Sequence, residues 1–330
     1  MSSLSHRTRL ERTLAGQSTD RPPVALWRHF PVDDQNPFRL SAAVQNFQSI
    51  YDFDLIKLTP ASSFCVKDWG VRDEWRGNPA GTRDYTHYPI QAPEDWLTLP
   101  VLTSQQAHLA AQLQCLRLTV QNHPQTPVLQ TIFSPLAQAK NLAGKERLLI
   151  HLRQHPQALH EGLRRITETT LNFVQAVLQS GCDGIFYAVQ HAQAALLSIQ
   201  EFGEFCFNYD LTILQTARPL WLNLAHIHGD AIHFDAICKY PVSVLNWHDQ
   251  QTFPSLAQAQ QLFNGTLCGG LRQWETLVMG TPEQVDAEAE NALSQTQGRR
   301  FILGTGCVLP ITAPHGNILA ARKAIEMFHL

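Results

Sequence analysis

Short apolar runs alternate with longer amphipathic stretches along most of the chain. Each run is rich in Val, Ile, Leu or Phe and is bounded by turn residues, which is typical of strands buried on both faces of a sheet. These runs predict eight strands, at residues 24–30, 55–60, 127–133, 184–189, 219–226, 243–247, 266–270 and 301–307.

The stretches between these runs have the periodicity of amphipathic helices. In residues 161–180, for example, Leu163 and Ile166 fall on one apolar stripe. Another helix is predicted to begin at Thr281 and Pro282, because Thr is a favoured N-cap and Pro a favoured first helical residue. The helices predicted with defined bounds are residues 161–180, 255–263, 282–296 and 317–328.

Strands that alternate with helices over one continuous stretch predict an α/β fold, a single (β/α)8 TIM barrel over residues 1–330. Residues 65–121 interrupt this alternation, since they are irregular and rich in Trp, Tyr, Asp and Pro. They are predicted to be an insertion after the second strand that forms a lid or a wall of the active-site cleft. The alternative is that this insertion only covers the barrel.

Composition narrows the class of protein. The chain has 25 Lys and Arg against 28 Asp and Glu, so it lacks the basic surface of a dedicated nucleic-acid-binding protein. No stretch reaches the roughly 18–20 apolar residues of a membrane helix, and the start of the chain lacks the apolar region of a secretory signal. The seven cysteines form no CxxC pair, which is typical of free thiols in a reducing compartment. We therefore expect a cytoplasmic protein without nucleic-acid or membrane partners.

Polar residues at the strand ends carry the candidate chemistry, because (β/α)8 barrels place their active sites where strands end and loops begin. Four of the eight predicted strand ends contribute histidine, which random scatter would not produce. The polar residues at these ends are Arg28, His29, Lys57, Thr59, Tyr187, Gln190, His191, His226, His228, Asn246, His248, Asp249, Arg272, Thr305 and Cys307.

His226 and His228 form the sharpest local feature. They are separated by one residue at the end of the fifth predicted strand, and Gly229 allows the chain to turn there, so both imidazoles can face one point. A thiolate from Cys307, at the end of the last strand, completes a His, His, Cys set with a fourth position open. That set is the composition of a catalytic zinc site. The alternative is that the two histidines only form hydrogen bonds in a polar pocket.

His248 and Arg28 are further candidates. His248 follows Trp247, which would form an indole wall, and could act as a general base or a further ligand with Asp249 orienting it. Adjacent side chains on a strand point to opposite faces, which favours separate roles for His248 and Asp249. Arg28 ends an apolar strand, where a guanidinium needs a carboxylate partner from the protein or from a bound substrate.

Two segments resemble the uroporphyrinogen decarboxylase superfamily. FILGTGCVLPITAPHGNILAARKAIEMF, residues 301–328, resembles its C-terminal signature, and RPPVALWRHF, residues 21–30, resembles its first strand. The sequence DWG at residues 68–70 also fits, and the resemblance extends over residues 8–328. It implies a (β/α)8 barrel. The superfamily includes decarboxylases of haem synthesis, which need no cofactor, and zinc-dependent corrinoid methyltransferases that act on thiols such as coenzyme M.

The motifs of the decarboxylase branch are only partly present. Its first-strand motif has two arginines four residues apart, and this chain has Arg28 but Val32 at the second position. The aspartate that binds the pyrrole NH groups falls near Thr59, and the histidine of the last-strand motif falls on Thr305. Without that aspartate, the positive charge that decarboxylation develops on the pyrrole has no counter-charge, which raises the barrier.

The zinc motifs of the methyltransferase branch match better. In that branch a His-x-Cys at the end of strand 5 and a Cys in the last-strand GC motif bind zinc. His226, His228 and Cys307 stand at the matching positions, so the resemblance implies that they hold zinc. Histidine in place of one cysteine removes a negative charge and leaves the metal more Lewis-acidic.

Together these features predict a zinc-dependent, methyltransferase-like enzyme that moves a methyl group between a corrinoid or methylated substrate and a thiol. The expected catalytic residues are His248, Arg28 and Tyr187, and those expected to bind substrate are Arg28, Thr59, Gln190, His191, Trp247 and Thr305. The alternatives are a decarboxylase of uroporphyrinogen or a related carboxylated tetrapyrrole, and a non-catalytic barrel that binds a tetrapyrrole or corrinoid. A separate corrinoid protein is the expected partner for methyl transfer, and the resemblance implies a homodimer.

Overall fold

The computed structural model describes residues 3–326, and its centre is a curled parallel sheet of seven strands. The sheet contains β1 and β4 to β9, each hydrogen-bonded to the next along the chain, whereas β2 and β3 pair separately as an antiparallel hairpin. The strand bounds are β1 (Ile56–Leu58), β2 (Arg72–Glu74), β3 (Asp84–His87), β4 (Val128–Phe133), β5 (Gly184–Val189), β6 (Leu224–Ile227), β7 (Val244–Trp247), β8 (Thr266–Leu271) and β9 (Phe301–Thr305).

Helices follow most of the parallel strands. The bounds are α1 (His6–Ala15), α2 (Pro37–Tyr51), α3 (Asp95–Thr98), α4 (Ala107–Asn122), α5 (Pro135–Ala143), α6 (Lys145–Gln154), α7 (Pro156–Leu178), α8 (Ile199–Phe202), α9 (Asn208–Thr216), α10 (Phe234–Ile237), α11 (Leu256–Leu262), α12 (Pro282–Thr296) and α13 (His315–Ala324). The predicted cap of α12 is confirmed, because the Thr281 side chain accepts the N–H of Gln284 in a capping box. The last two residues of the helix predicted at 317–328 lie outside the described residues.

The first predicted strand, residues 24–30, is present as an extended segment with isolated bridges rather than as a regular strand. The Ala25 N–H donates to the Leu303 carbonyl of β9 over 2.9 Å, and the Asp54 N–H, just before β1, donates to the Val24 carbonyl over 2.9 Å. The segment therefore lies between the two edge strands of the curled sheet.

Residues 65–121, predicted to be an irregular insertion, contain regular structure. They include the β2–β3 hairpin and the short helix α3, and they end in α4. The helix α4 packs against α2 and β4, as a connecting helix of the α/β layer does. The prediction of irregular structure through residue 121 is therefore wrong for residues 107–121, which belong to α4.

Burial agrees with the apolar runs in the sequence. Every residue of β4, β5, β6, β7, β8 and β9 is buried, as expected for strands covered on both faces. The longest helix, α7, turns its apolar stripe inward, with Leu163, Ile166 and Val177 buried. Within residues 3–326, no helix combines the length and the apolar character that crossing a membrane requires.

Candidate metal centre and active-site cavity

A cavity of about 510 Å³ opens where the parallel strands end. Its lining combines aromatic walls with polar side chains from several strands, as expected for a ligand site in an α/β barrel. His226, His228, His248 and Cys307 all face this one cavity, together with Gln190. The structure thus brings together the histidines and the cysteine that the sequence singled out.

His226, His228 and Cys307 form a triad that could hold a metal ion, since one ligand atom from each lies within 4.8 Å of the others. Nδ1 of His228 lies 3.7 Å from Sγ of Cys307.

Two glycines permit the close approach of these chain segments. Gly229 has a φ of +96°, and a Cβ there would lie 2.1 Å from Cδ of Gln193. At Gly306 a Cβ would lie 2.7 Å from the Cα of His248, so only glycine lets the end of β9 reach the histidines.

The orientation of His226 is fixed by Asn246 on the neighbouring strand. Oδ1 of Asn246 lies 2.7 Å from Nδ1 of His226, while Nδ2 of Asn246 donates to the carbonyls of Cys268 and Thr305 over 2.8 and 2.9 Å. Because the Asn246 amide nitrogen is committed to two carbonyls, its oxygen must accept, so Nδ1 of His226 carries the proton. Nε2 of His226 is therefore left with a free lone pair, as a metal ligand requires.

Burial keeps the triad histidines neutral. It lowers the pKa of His226 well below the ordinary value, and the neighbouring His228 and His248 lower it further. Burial also lowers the pKa of His228 to about 4, with His248 acting in the same direction. The thiol of Cys307 has a raised pKa because it is buried, although the Lys57 ammonium opposes that rise. A bound metal cation would favour the thiolate form of Cys307. Two neutral imidazoles and one thiolate are a donor set that suits zinc.

His248 stands beside the triad rather than in it. Its Nε2 lies 3.4 Å from Nδ1 of His228, and burial lowers its pKa, so the imidazole is a neutral base. Asp249 does not orient it. The Asp249 carboxylate instead accepts the N–H of Gly270 over 3.1 Å, as the alternation of side chains along a strand favoured.

Arg28 does not reach the cavity. Its neighbours Trp27 and His29 line the cavity, so Arg28, between them, points to the other face of the extended segment. Its guanidinium lies over the Phe30 ring, with 5.4 Å between its Cζ atom and the ring centroid. The expectation that Arg28 binds a substrate carboxylate stays a prediction, and this position does not favour it.

Tyr187 points away from the cavity for the same reason. Phe186 and Ala188 line the cavity, whereas the Tyr187 hydroxyl donates to Oδ1 of Asp210 over 2.6 Å on the outer face of β5. The catalytic role predicted for Tyr187 stays a prediction, and the engagement of its hydroxyl with Asp210 does not favour it. Burial raises the pKa of Asp210 to about 7, and the hydroxyl groups of Tyr187 and Tyr240 oppose that rise.

Four other residues predicted to bind substrate also lie outside the cavity lining, namely Thr59, His191, Trp247 and Thr305. Trp247 is fully buried and donates from Nε1 to the Pro254 carbonyl over 2.9 Å. The hydroxyl of Thr59 donates to the Lys57 carbonyl, and that of Thr305 donates to the Cys307 carbonyl. The side chains of Thr59, Trp247 and Thr305 thus donate to backbone carbonyls, whereas Nδ1 of His191 is buried without a hydrogen-bond partner.

Three basic side chains line the cavity without having been assigned a role from the sequence. Lys57 comes from β1, Lys140 from α5 and Arg83 from the segment before β3. Lys57 was among the polar residues that the sequence placed at the strand ends, although no role was assigned to it. Lys140 and Arg83 could not be found from the sequence, because helix and hairpin residues reach the cavity only through the tertiary fold.

Comparisons with known proteins agree on one family. A family model described as uroporphyrinogen decarboxylase matches residues 78–328. A protein named uroporphyrinogen decarboxylase from Rhodococcus opacus (strain B4) is 25% identical over 266 residues, which cover 76% of this chain and 71% of that protein.

Solved structures share the fold. A methyltransferase from Methanosarcina mazei superposes with a TM-score of 0.85 at 17% sequence identity, and the match covers 98% of this chain and 99% of that chain. A B12-independent methionine synthase from Shewanella sp. W3-18-1 gives a TM-score of 0.63 at 11% identity, with 93% and 97% of the two chains covered.

Proposed function

This chain belongs to the uroporphyrinogen decarboxylase family, and from that premise we propose that it is a zinc-dependent methyltransferase. It would move a methyl group between a corrinoid or methylated substrate and a thiol. The observation that carries this proposal is the convergence of His226, His228 and Cys307 within 4.8 Å in the main cavity. The similarity in fold to a methyltransferase supports it.

The donor set fits zinc better than other common metals. Two neutral imidazoles and one thiolate are ligands of intermediate softness, whereas magnesium and calcium prefer carboxylate oxygens. Among the described residues that line the cavity, none is Asp or Glu. Three protein ligands leave one coordination position for a substrate, which is the arrangement of catalytic zinc sites. When bound, the zinc would lower the pKa of a substrate thiol and so hold it as a thiolate.

The protein's own residues would then position and deprotonate that thiol. Asn246 keeps the lone pair of His226 directed at the ligand point. Nε2 of His248 lies 3.4 Å from Nδ1 of His228, so this neutral imidazole stands next to the triad. It would accept the proton of the thiol at Nε2. The Phe186 ring stacks on the His226 ring with centroids 5.5 Å apart and would exclude water from that side.

Residues 80–85 of the hairpin segment would form a wall of the active site. Ala80, Thr82, Arg83 and Tyr85 line the cavity together with the strand-end residues. This position supports the wall that was expected within residues 65–121. We propose that a separate corrinoid protein approaches the open end of the cavity to deliver or accept the methyl group.

Metal analysis of purified protein tests this proposal. The wild type should contain stoichiometric zinc, and both His226→Ala and Cys307→Ala should lose it. Cys238→Ala is the matched control, because its thiol lies outside the cavity. Methyl transfer from methylcobalamin to a thiol, followed by visible absorbance, should be lost in the same two variants. Wild-type protein without stoichiometric zinc, unchanged by His226→Ala, would contradict the proposal.

Decarboxylation is the second candidate, because the cavity has a basic lining without acidic residues and a relative carries that name. A carboxylated tetrapyrrole would suit such a lining. Conversion of uroporphyrinogen to coproporphyrinogen by the metal-free protein would favour this candidate over methyl transfer.

A further inference from the structure

The cavity contains positive charge that the protein does not neutralise. Arg83 is paired, since its Nε lies 3.0 Å from Oδ1 of Asp73. Lys57 and Lys140, however, have no carboxylate within ion-pair distance among residues 3–326, and the lining contains no acidic residue. Buried charges are normally paired, so two unpaired ammonium groups in one cavity call for an anionic ligand.

Lys57 is the more deeply placed of the two. Its side chain comes from the middle of β1 and is only 7% exposed. Its Nζ lies 4.5 Å from the centroid of the Phe186 ring, which compensates only part of the cost of burial. Burial lowers the pKa of Lys57 to about 7, and negative charge on Cys307 would oppose that change. An anion bound beside Lys57 would restore the charged form.

Two residues with ring side chains lie on the same side of the cavity as Lys57. The Trp27 ring packs edge-on to Phe186 with centroids 5.2 Å apart. Burial lowers the pKa of His29 to about 3, and the Lys57 ammonium acts in the same direction, so this imidazole is neutral. Nε1 of Trp27 and Nδ1 of His29 are buried without a hydrogen-bond partner and do not face the open space of the cavity. An anion on this side would therefore be held by Lys57.

We propose that Lys57 anchors an oxyanion subsite, so that the thiol or methyl thioether substrate carries a carboxylate near its sulfur. This inference rests on the proposed methyl transfer to a thiol. Lys57 would hold the carboxylate by a charge-assisted hydrogen bond while the sulfur faces His226, His228 and Cys307. Lys140, which also lines the cavity, would add long-range attraction for the same anion.

Binding of two matched thiols tests this subsite. Cobalt-loaded protein is titrated with mercaptopropionate and with its neutral analogue mercaptopropanol, and the thiolate-to-cobalt absorption band reports binding. Lys57→Met should weaken mercaptopropionate binding by about tenfold or more and leave mercaptopropanol binding unchanged. Lys57→Arg should retain the preference for the anion. Lys239→Met, which removes an exposed lysine outside the cavity, should behave as wild type.

The readouts separate this inference from the metal proposal. Zinc content should be the same in Lys57→Met and wild type; loss of zinc in that variant would mean that Lys57 only supports the Cys307 thiolate. An unchanged preference for mercaptopropionate in Lys57→Met would also overturn the inference. If the wild type binds no metal, thermal stabilisation of the metal-free protein by propionate, lost in Lys57→Met, would still support the oxyanion subsite.

Discussion

Replacing Asn246 with Ala should weaken both zinc binding and the fold. The Asn246 amide joins three strands, because it accepts from His226 and donates to the carbonyls of Cys268 and Thr305. Asn246→Ala removes these three hydrogen bonds in a fully buried place and leaves two carbonyls unpaired. At about 1–1.5 kcal/mol for each bond, the free energy of unfolding should fall by roughly 3–5 kcal/mol.

The effect on the metal follows from the tautomer of His226. Without an acceptor at Nδ1, the proton is no longer held there and the ring is free to turn, so Nε2 is a poorer ligand. Loss of such an outer partner typically costs 10–100-fold in metal affinity. Zinc affinity is measured by competition with a chromophoric chelator, and stability by urea unfolding of the metal-free protein.

Asn317→Ala is the matched control. Asn317 is also buried and donates from Nδ2 to two carbonyls, those of Leu277 and Gly280, but it lies on α13 and does not contact the triad. At the same free energy for each hydrogen bond, this variant should be destabilised by roughly 2–3 kcal/mol, and it should bind zinc like the wild type. If Asn246→Ala binds zinc no more weakly than Asn317→Ala, the reasoning about the orientation of His226 is refuted.

Three further predictions concern residues outside the triad. Asp54→Ala should lower the free energy of unfolding by about 3–5 kcal/mol without changing zinc content, because it removes the carboxylate partner of the buried Arg21 and one of the two carboxylate partners of Arg9; equal urea midpoints would contradict this. Burial raises the pKa of the Asp210 carboxyl from 3.8 to about 7. The protonated carboxyl therefore stabilises the fold fully below about pH 4, and this contribution is lost as the pH rises to 7. The stability of the wild type relative to Asp210→Asn should therefore fall over this interval, and a constant difference would contradict the buried, protonated carboxyl. Arg28→Met should change the affinity for mercaptopropionate by less than about twofold, since Arg28 faces away from the cavity, and a tenfold loss would contradict that placement.

The strand ends were predictable because local patterns define them. The strand predicted at residues 219–226 is observed as β6, Leu224–Ile227, so its start was predicted too early, but its end lies one residue from the predicted end and shortly before Gly229. The position of Cys307 after the last run follows in the same way. Parallel strands end at one edge of a sheet. The convergence of side chains at the ends of β6 and β9 could therefore be predicted without the tertiary structure.

The side to which each residue points was harder to predict. Side chains along a strand point alternately to its two faces. An error of one residue in the predicted register therefore exchanges the residues that point into the cavity with those that point away from it. Arg28 and Tyr187 were assigned inward, whereas their neighbours His29 and Phe186 line the cavity. The segment around Arg28 also lacks a regular ladder, which removes the pattern that would have fixed its register.

The basic residues that line the cavity could not be predicted from the sequence for a different reason. Lys140 lies on a helix, where its approach to the cavity depends on how α5 packs. That packing is a property of the whole fold and leaves no signature in the residues around position 140.

X-ray absorption at the zinc edge tests the central claim most directly. The zinc-loaded protein should show one sulfur at about 2.3 Å and imidazole nitrogens at about 2.0–2.1 Å, and addition of mercaptopropionate should add a second sulfur. In Cys307→Ala the protein sulfur should disappear. A zinc environment without sulfur in the wild type, or one that Cys307→Ala leaves unchanged, would contradict the assignment of His226, His228 and Cys307 as the metal site.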